Sequence, residues 1–145
     1  MFKMTFQQIQ NEALVTGLRK LGNVSGLPQS VGYDIIKVIR LIEPELKNFH
    51  ETMQKIQTEN RETHAVLIQI GDEAQKKLAF DEFEKKARVA ITELLDFEVT
   101  IGWHKISRMV LDKAGLTPFE LEAVEPLLTD DLQAVGAPSN VVKLS

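Results

Sequence analysis

The sequence has no cysteine. Disulfides, thiolate metal sites and cysteine nucleophiles are therefore excluded outright. It also lacks a long apolar run. The longest, Ala65 to Ile68, is far shorter than the roughly 20 residues that span a bilayer. Met1-Phe2-Lys3-Met4 has neither the charged head nor the apolar stretch of a secretion signal, so no membrane and no signal-peptide secretion are expected. Histidine is scarce. His50, His64 and His104 do not show the His-Glu-x-x-His spacing that sets two imidazoles and a base on one helical face, and each reads as a surface residue rather than a ligand. No glycine-rich phosphate loop or EF-hand carboxylate pattern is present. Ser25 lies between Gly22 and Gly26 but does not make the Gly-x-Ser-x-Gly elbow of hydrolases.

Positive charge is in short supply as well. Seventeen basic residues stand against 21 acidic ones, a net charge of -4, which disfavours nucleic acid as the main ligand because phosphate binding needs a basic surface. Between Lys113 and Lys143 there is no basic residue at all, and the stretch holds Glu120, Glu122, Glu125, Asp130 and Asp131. Such a segment serves solubility, the favoured reading, or it docks on a basic protein surface in imitation of nucleic acid.

What is present is a chain of 145 residues, 43% hydrophobic and 26% charged, the size and balance of one soluble globular domain with a core that needs no staples. Phe2, Met4 and Phe6 alternate with Lys3 and Thr5, a short strand. A helix from about Thr5 to Leu21 follows, with Phe6, Ile9, Ala13 and Leu18 on one stripe and Gly22 at its end. After a loop at 22–27, Pro28 suits the first turn of a long helix. Here Ile35, Ile39, Ile42, Leu46, Phe49, Met53 and Ile56 step by alternating fours and threes, the seam of a helix packed on another helix in coiled-coil fashion. Pro44 lies inside the run and either kinks or splits the helix; because the seam passes straight through it, the kink is favoured. At 57–64 the seam turns polar. Asn60 either sets register as a buried polar layer or marks a frayed end. Residues 65–70 read as resumed helix or as a short branched strand, with helix preferred.

A second helix is expected over 73–95. Phe80, Phe83, Ala87, Ala90 and Leu94 form its stripe, and Asp72→Lys76, Glu73→Lys77, Asp81→Lys85, Glu82→Lys86 and Glu84→Arg88 support it as four-residue acid-to-base pairs. Phe97, Val99, Ile101 and Trp103 then alternate as a half-buried strand, paired with residues 1–6. On such a strand Trp103 reads as core rather than as a binding aromatic. A short helix over 107–114 ends at Gly115, and Thr117-Pro118-Phe119-Glu120 caps another through Val124. The expected architecture is mainly α: an antiparallel coiled-coil-like hairpin of about 29–70 and 73–95, the N-terminal helix against it, and a small strand pair with short helices at one end. Residues 1–128 form the domain and 129–145 an extended or flexible tail.

Two stretches carry a resemblance. Leu27-Pro28 with Val31-Gly32-Tyr33 and Ile35 leads into Ile42-Glu43-Pro44-Glu45-Leu46-Lys47 and Phe49. Further on come Glu93-Leu94-Leu95-Asp96, Glu98-Val99, Ile101 and Lys105-Ile106, then Leu116-Thr117-Pro118, Glu120-Leu121 and Glu125-Pro126-Leu127-Leu128. In content and order these blocks, covering most of 27–128, resemble a diffuse group of small proteins of tailed bacteriophages. The connection at 57–79 is longer and more apolar than that group's glycine-containing one. The resemblance implies a phage setting, with location in the host cytoplasm or the virion, and supplies no catalytic residue.

The seam from Ile35 to Ile56 is too long for 145 residues to cover, so its burial is expected to finish against a second copy or another protein. The function expected is non-enzymatic: a protein–protein interaction module, structural or accessory to virion assembly, acting as a homo-oligomer or within a larger assembly. The alternative is a phage-encoded inhibitor that binds a host defence or nucleic-acid enzyme through the acidic segment. No catalytic residue, cofactor or metal is assigned.

Overall fold

The computed structural model describes residues 1–130. Strand β1 (Phe2–Thr5) runs into helix α1 (Phe6–Ile9), where Thr5 and Gln8 close a reciprocal capping box. Helix α2 (Glu12–Gly22) follows, then α3 (Gln29–Leu67), α4 (Glu73–Asp96), β2 (Glu98–Ile101) and β3 (Ile106–Ser107). A 3-10 turn at Arg108–Val110 leads to α5 (Leu111–Ala114), which stops at Gly115 in the left-handed conformation (φ 64°). Helix α6 (Pro118–Val124) opens on the expected Thr117–Glu120 capping box, and a second 3-10 turn, Glu125–Leu127, ends in β4 (Leu128–Thr129).

The molecule is mainly helical, and its two long helices form a hairpin. The hairpin is unequal. Helix α3 has 39 residues and α4 has 24, about 58 and 36 Å at 1.5 Å per residue. Helix α4 therefore reaches only the distal half of α3. The proximal half lies on a base built from α1, α2, α6 and two small sheets. There Ile35, Val38, Ile42 and Phe49 share one core with Met4, Phe6, Leu14, Leu18, Ile101, Ile106 and Leu127. Strands β1 and β2 pair antiparallel, Phe2 opposite Ile101 and Met4 opposite Val99, so the alternating apolar residues of both strands face the same core.

Three boundaries differ from expectation. The helix expected from Thr5 to Leu21 is two helices. The Asn11 carboxamide accepts the Ala13 N–H at 2.9 Å and caps a new start, while Gln10 closes α1. Strands β3 and β4 pair in parallel, Ile106 with Leu128 and Ser107 with Thr129; two residues are too few for a period to show. Thr129, expected to open the tail, is in β4. Asp131 and the rest of that expected tail lie outside the described residues.

Elsewhere the ambiguous segments resolve. Helix α3 is continuous through Pro44 and Asn60 and ends at Leu67, so 65–67 are helical and 68–70 form the turn. Both Pro44 and Arg40, whose carbonyl loses its N–H partner, are on the exposed side, where water replaces the missing bond. In α2, Gly17 sits against α6: a Cβ there would come within 2.8 Å of Val124 Cγ1. The mid-helix glycine is what lets the two helices touch.

Candidate interaction surface

The seam divides by what covers it. Ile35, Ile42 and Phe49 are buried, and Ile39, Leu46 and Met53 are half-buried against the same core. Six of the seven seam residues therefore face the chain's own base. Ile56 alone belongs to the distal arm, where it lines an open groove with Asn60, Thr63, Leu67, Ala79, Phe83 and Ala90. The groove holds about 530 Å³. Past Phe49 no residue of α3 is buried, and none of α4 is. Val66, Ile68, Leu78 and Val89 are exposed along the arm. The two helices do meet, with the His64 ring edge-on to Phe80 at 5.4 Å, but a pair of helices cannot enclose its own seam.

The acidic segment is not one free surface. Glu120 is only 7% exposed, and its Oε1 accepts from Lys20 Nζ at 2.7 Å and from the Thr117 N–H at 2.9 Å. These two contacts hold its carboxyl below the usual carboxylate value, the Lys20 bond contributing most. Arg108 donates from Nη1 to Glu125 Oε2 at 3.1 Å and from Nη2 to Oε1, a two-point contact that lowers the Glu125 carboxyl and raises the guanidinium. Asp130 lies 3.8 Å from the same guanidinium. Of the four acids of this segment among the described residues, Glu122 is the one with no ion pair.

A polar cluster that the sequence reading missed sits at the base. Asp34 is buried and accepts from Trp103 Nε1 at 2.9 Å. His104 Nε2 is 3.2 Å from the same oxygen, and its Nδ1 is 3.1 Å from the Lys105 carbonyl oxygen. Tyr33 meets the Trp103 ring edge-on, and Lys37 Nζ stands 5.4 Å over it. One signal could have found it: Asp34 lies four residues before Val38 and eight before Ile42, an acid on the apolar face. The cluster clamps the segment after β2 onto α3. Both imidazole nitrogens are engaged by this chain's own groups. His50 leans on Phe49 and is exposed.

Among the described residues no group of three or more His, Asp or Glu is placed to hold a metal ion, and no helix is long and apolar enough to cross a membrane. Comparison of the chain with protein-family models, curated proteins and solved structures finds no match.

Proposed function

We propose that the chain is a non-enzymatic protein–protein interaction module, a structural or assembly accessory protein of a phage virion. The observation that supports it is the arm: two helices project past the base with a half-covered seam, an open groove and four exposed large apolar residues. A surface of that kind is completed by a protein partner. The arm's charges are of both signs and the chain is net acidic, which suits a protein surface better than a phosphate backbone. The phage setting rests on the resemblance of residues 27–128. An inhibitory role through the acidic segment has less to work with, because Lys20 and Arg108 already pair with three of its acids.

The test is made in a phage that carries this gene. Its deletion should lower the yield of complete particles, with partial heads or tails visible by electron microscopy, and supply of the protein in trans should restore them. Unchanged particle yield with lost growth on defence-bearing hosts would favour the inhibitor instead.

A further inference from the structure

The arm has two unlike faces. At 100° per residue, Gln54, Thr58 and Arg61 of α3 and Lys77, Glu84 and Arg88 of α4 lie away from the groove and make an exposed polar side. Glu59 and Glu82 line the groove. Val66 stands seven residues after Glu59, and Leu78 and Val89 stand four before and seven after Glu82, so they share that side. The three large apolar side chains exposed along the arm's helices, Val66, Leu78 and Val89, therefore rim one face.

The lining of the groove is complementary to itself. Along α3 it reads Ile56, Asn60, Thr63, Leu67: apolar, polar, polar, apolar at steps of four, three and four, the same from either end. Asn60 is half-buried, and neither its carboxamide nor the Thr63 hydroxyl makes a hydrogen bond among the described residues. Along α4, Ala79 and Ala90 stand at the two ends with Glu82 and Lys86 between them. The hairpin sets His64 against Phe80. The midpoint of Asn60 and Thr63 therefore lies within ~3 Å, along the arm, of the midpoint of Glu82 and Lys86.

One two-fold axis across the face at that level serves both helices. It sets Asn60 against the second copy's Thr63, Ile56 against its Leu67, Glu82 against its Lys86 and Ala79 against its Ala90, each contact made twice. The two polar side chains gain partners and form a polar layer that fixes register. The alanines let the two α4 helices lie close, and Leu78 meets the second copy's Val89 on the rim. Any amphipathic helix could cover apolar ends. An order that reads the same from both ends on α3, with acid and base exchanged about the same level on α4, is what a copy of the chain itself requires.

We propose that the open groove is a homodimer interface: a second copy of this chain docks its own groove face to face and antiparallel, and the two arms close into a four-helix bundle with the bases at opposite ends. This rests on the interaction-module reading and names a first partner for it.

The absence of cysteine makes the register directly readable. An equimolar mixture of full-length Ala79→Cys and Ala90→Cys chains should oxidise to a covalent dimer holding one of each. Neither variant alone should cross-link, because the two copies of either position stand eleven residues apart along the pair, about 16 Å, beyond the roughly 7 Å Cα separation a disulfide tolerates. Charge supplies the second measurement. Glu82→Lys, and separately Lys86→Glu, should each weaken dimerisation ~10-fold or more in sedimentation equilibrium, since like charges then face each other twice. Mixed in equal amounts, the two variants should return to twice the 16.3 kDa chain mass. A helix merely weakened by the substitutions would not be rescued by mixing.

A wild-type chain that sediments as a monomer at tens of micromolar overturns the proposal and leaves the groove to another protein. A dimer that the mixed cysteine chains do not cross-link, or that Ala79→Cys alone does, overturns it as well, and so does a dimer indifferent to both charge variants. In each of these cases the particle-yield experiment still decides the interaction-module reading separately.

Discussion

Glu120 shows how much one side chain holds at the base. Its carboxylate caps α6 and ties α6 to α2 through Lys20. Because its folded pKa is lowered, it adds stability above the ordinary carboxylate value of 4.5, and that stability is lost as pH falls from there through the folded value. Glu120→Gln keeps an acceptor for the cap but no charge. It should melt below wild type at pH 7, and the two melting curves should converge as the pH drops under 4.5. A gap that persists in acid would mean that shape, not charge, sets the contact. Gly17 is the neighbouring case. Alanine is the better helix former by ~1 kcal/mol, yet its Cβ would meet Val124 Cγ1 at 2.8 Å. Gly17→Ala should therefore destabilise, by about 1–3 kcal/mol as overpacking does, and Val124→Ala in the same chain should recover part of the loss in urea unfolding. The capping residues Thr117 and Glu120 were legible because a cap is written in four consecutive letters. The Lys20 contact, 100 residues away, has no local trace.

The elements were legible in proportion to their length. Seven seam positions at steps of three and four identify α3, and the alternation of Val99 and Ile101 identifies β2. Periodicity tells which face is apolar but not what covers it, so the seam could not show that its proximal part meets α1 and α2 whereas its distal part meets α4. The Gln10–Asn11 break was within reach, since asparagine followed by Glu12 is a helix start; the continuous stripe of Phe6, Ile9 and Ala13 masked it. Phe49 is the last buried residue of α3. It is buried and meets Phe6 at 5.5 Å between ring centres. Phe49→Asp removes that ring and buries a carboxylate, and should cost about 4 kcal/mol or more, read as loss of cooperative melting at 37 °C. Ile56→Asp, in the open groove, should leave the melting of the base near wild type.

At the scale of the molecule, base and arm are unequal partners in stability. Every buried apolar residue of the described chain lies in the base or at its junction with the arm. Replacing 58–88 by a turn of about four residues, a usual length between antiparallel helices, should leave a cooperatively folding chain with the near-ultraviolet signal of Trp103 intact. A molten product would show that the arm supports the base. The candidate site was only partly legible for the same reason. The stripe of α4 could be read from Phe83, Ala87 and Ala90, but that only a second helix lies over it, leaving the groove open, is a fact of three dimensions.

The pairing of β1 with β2 has a consequence for the order of events in synthesis. Phe2 waits for Ile101, and α2 waits for α6, so the base cannot close until nearly the whole described chain has been made. The arm needs only neighbours within its own hairpin. At about 5–20 residues per second, its two helices are complete while β1 is still unpaired. Local contacts form sooner than distant ones, so the hairpin precedes the domain that later carries it. A nascent chain would then carry its arm on the ribosome before its base exists, with the open groove of the arm formed ahead of the core.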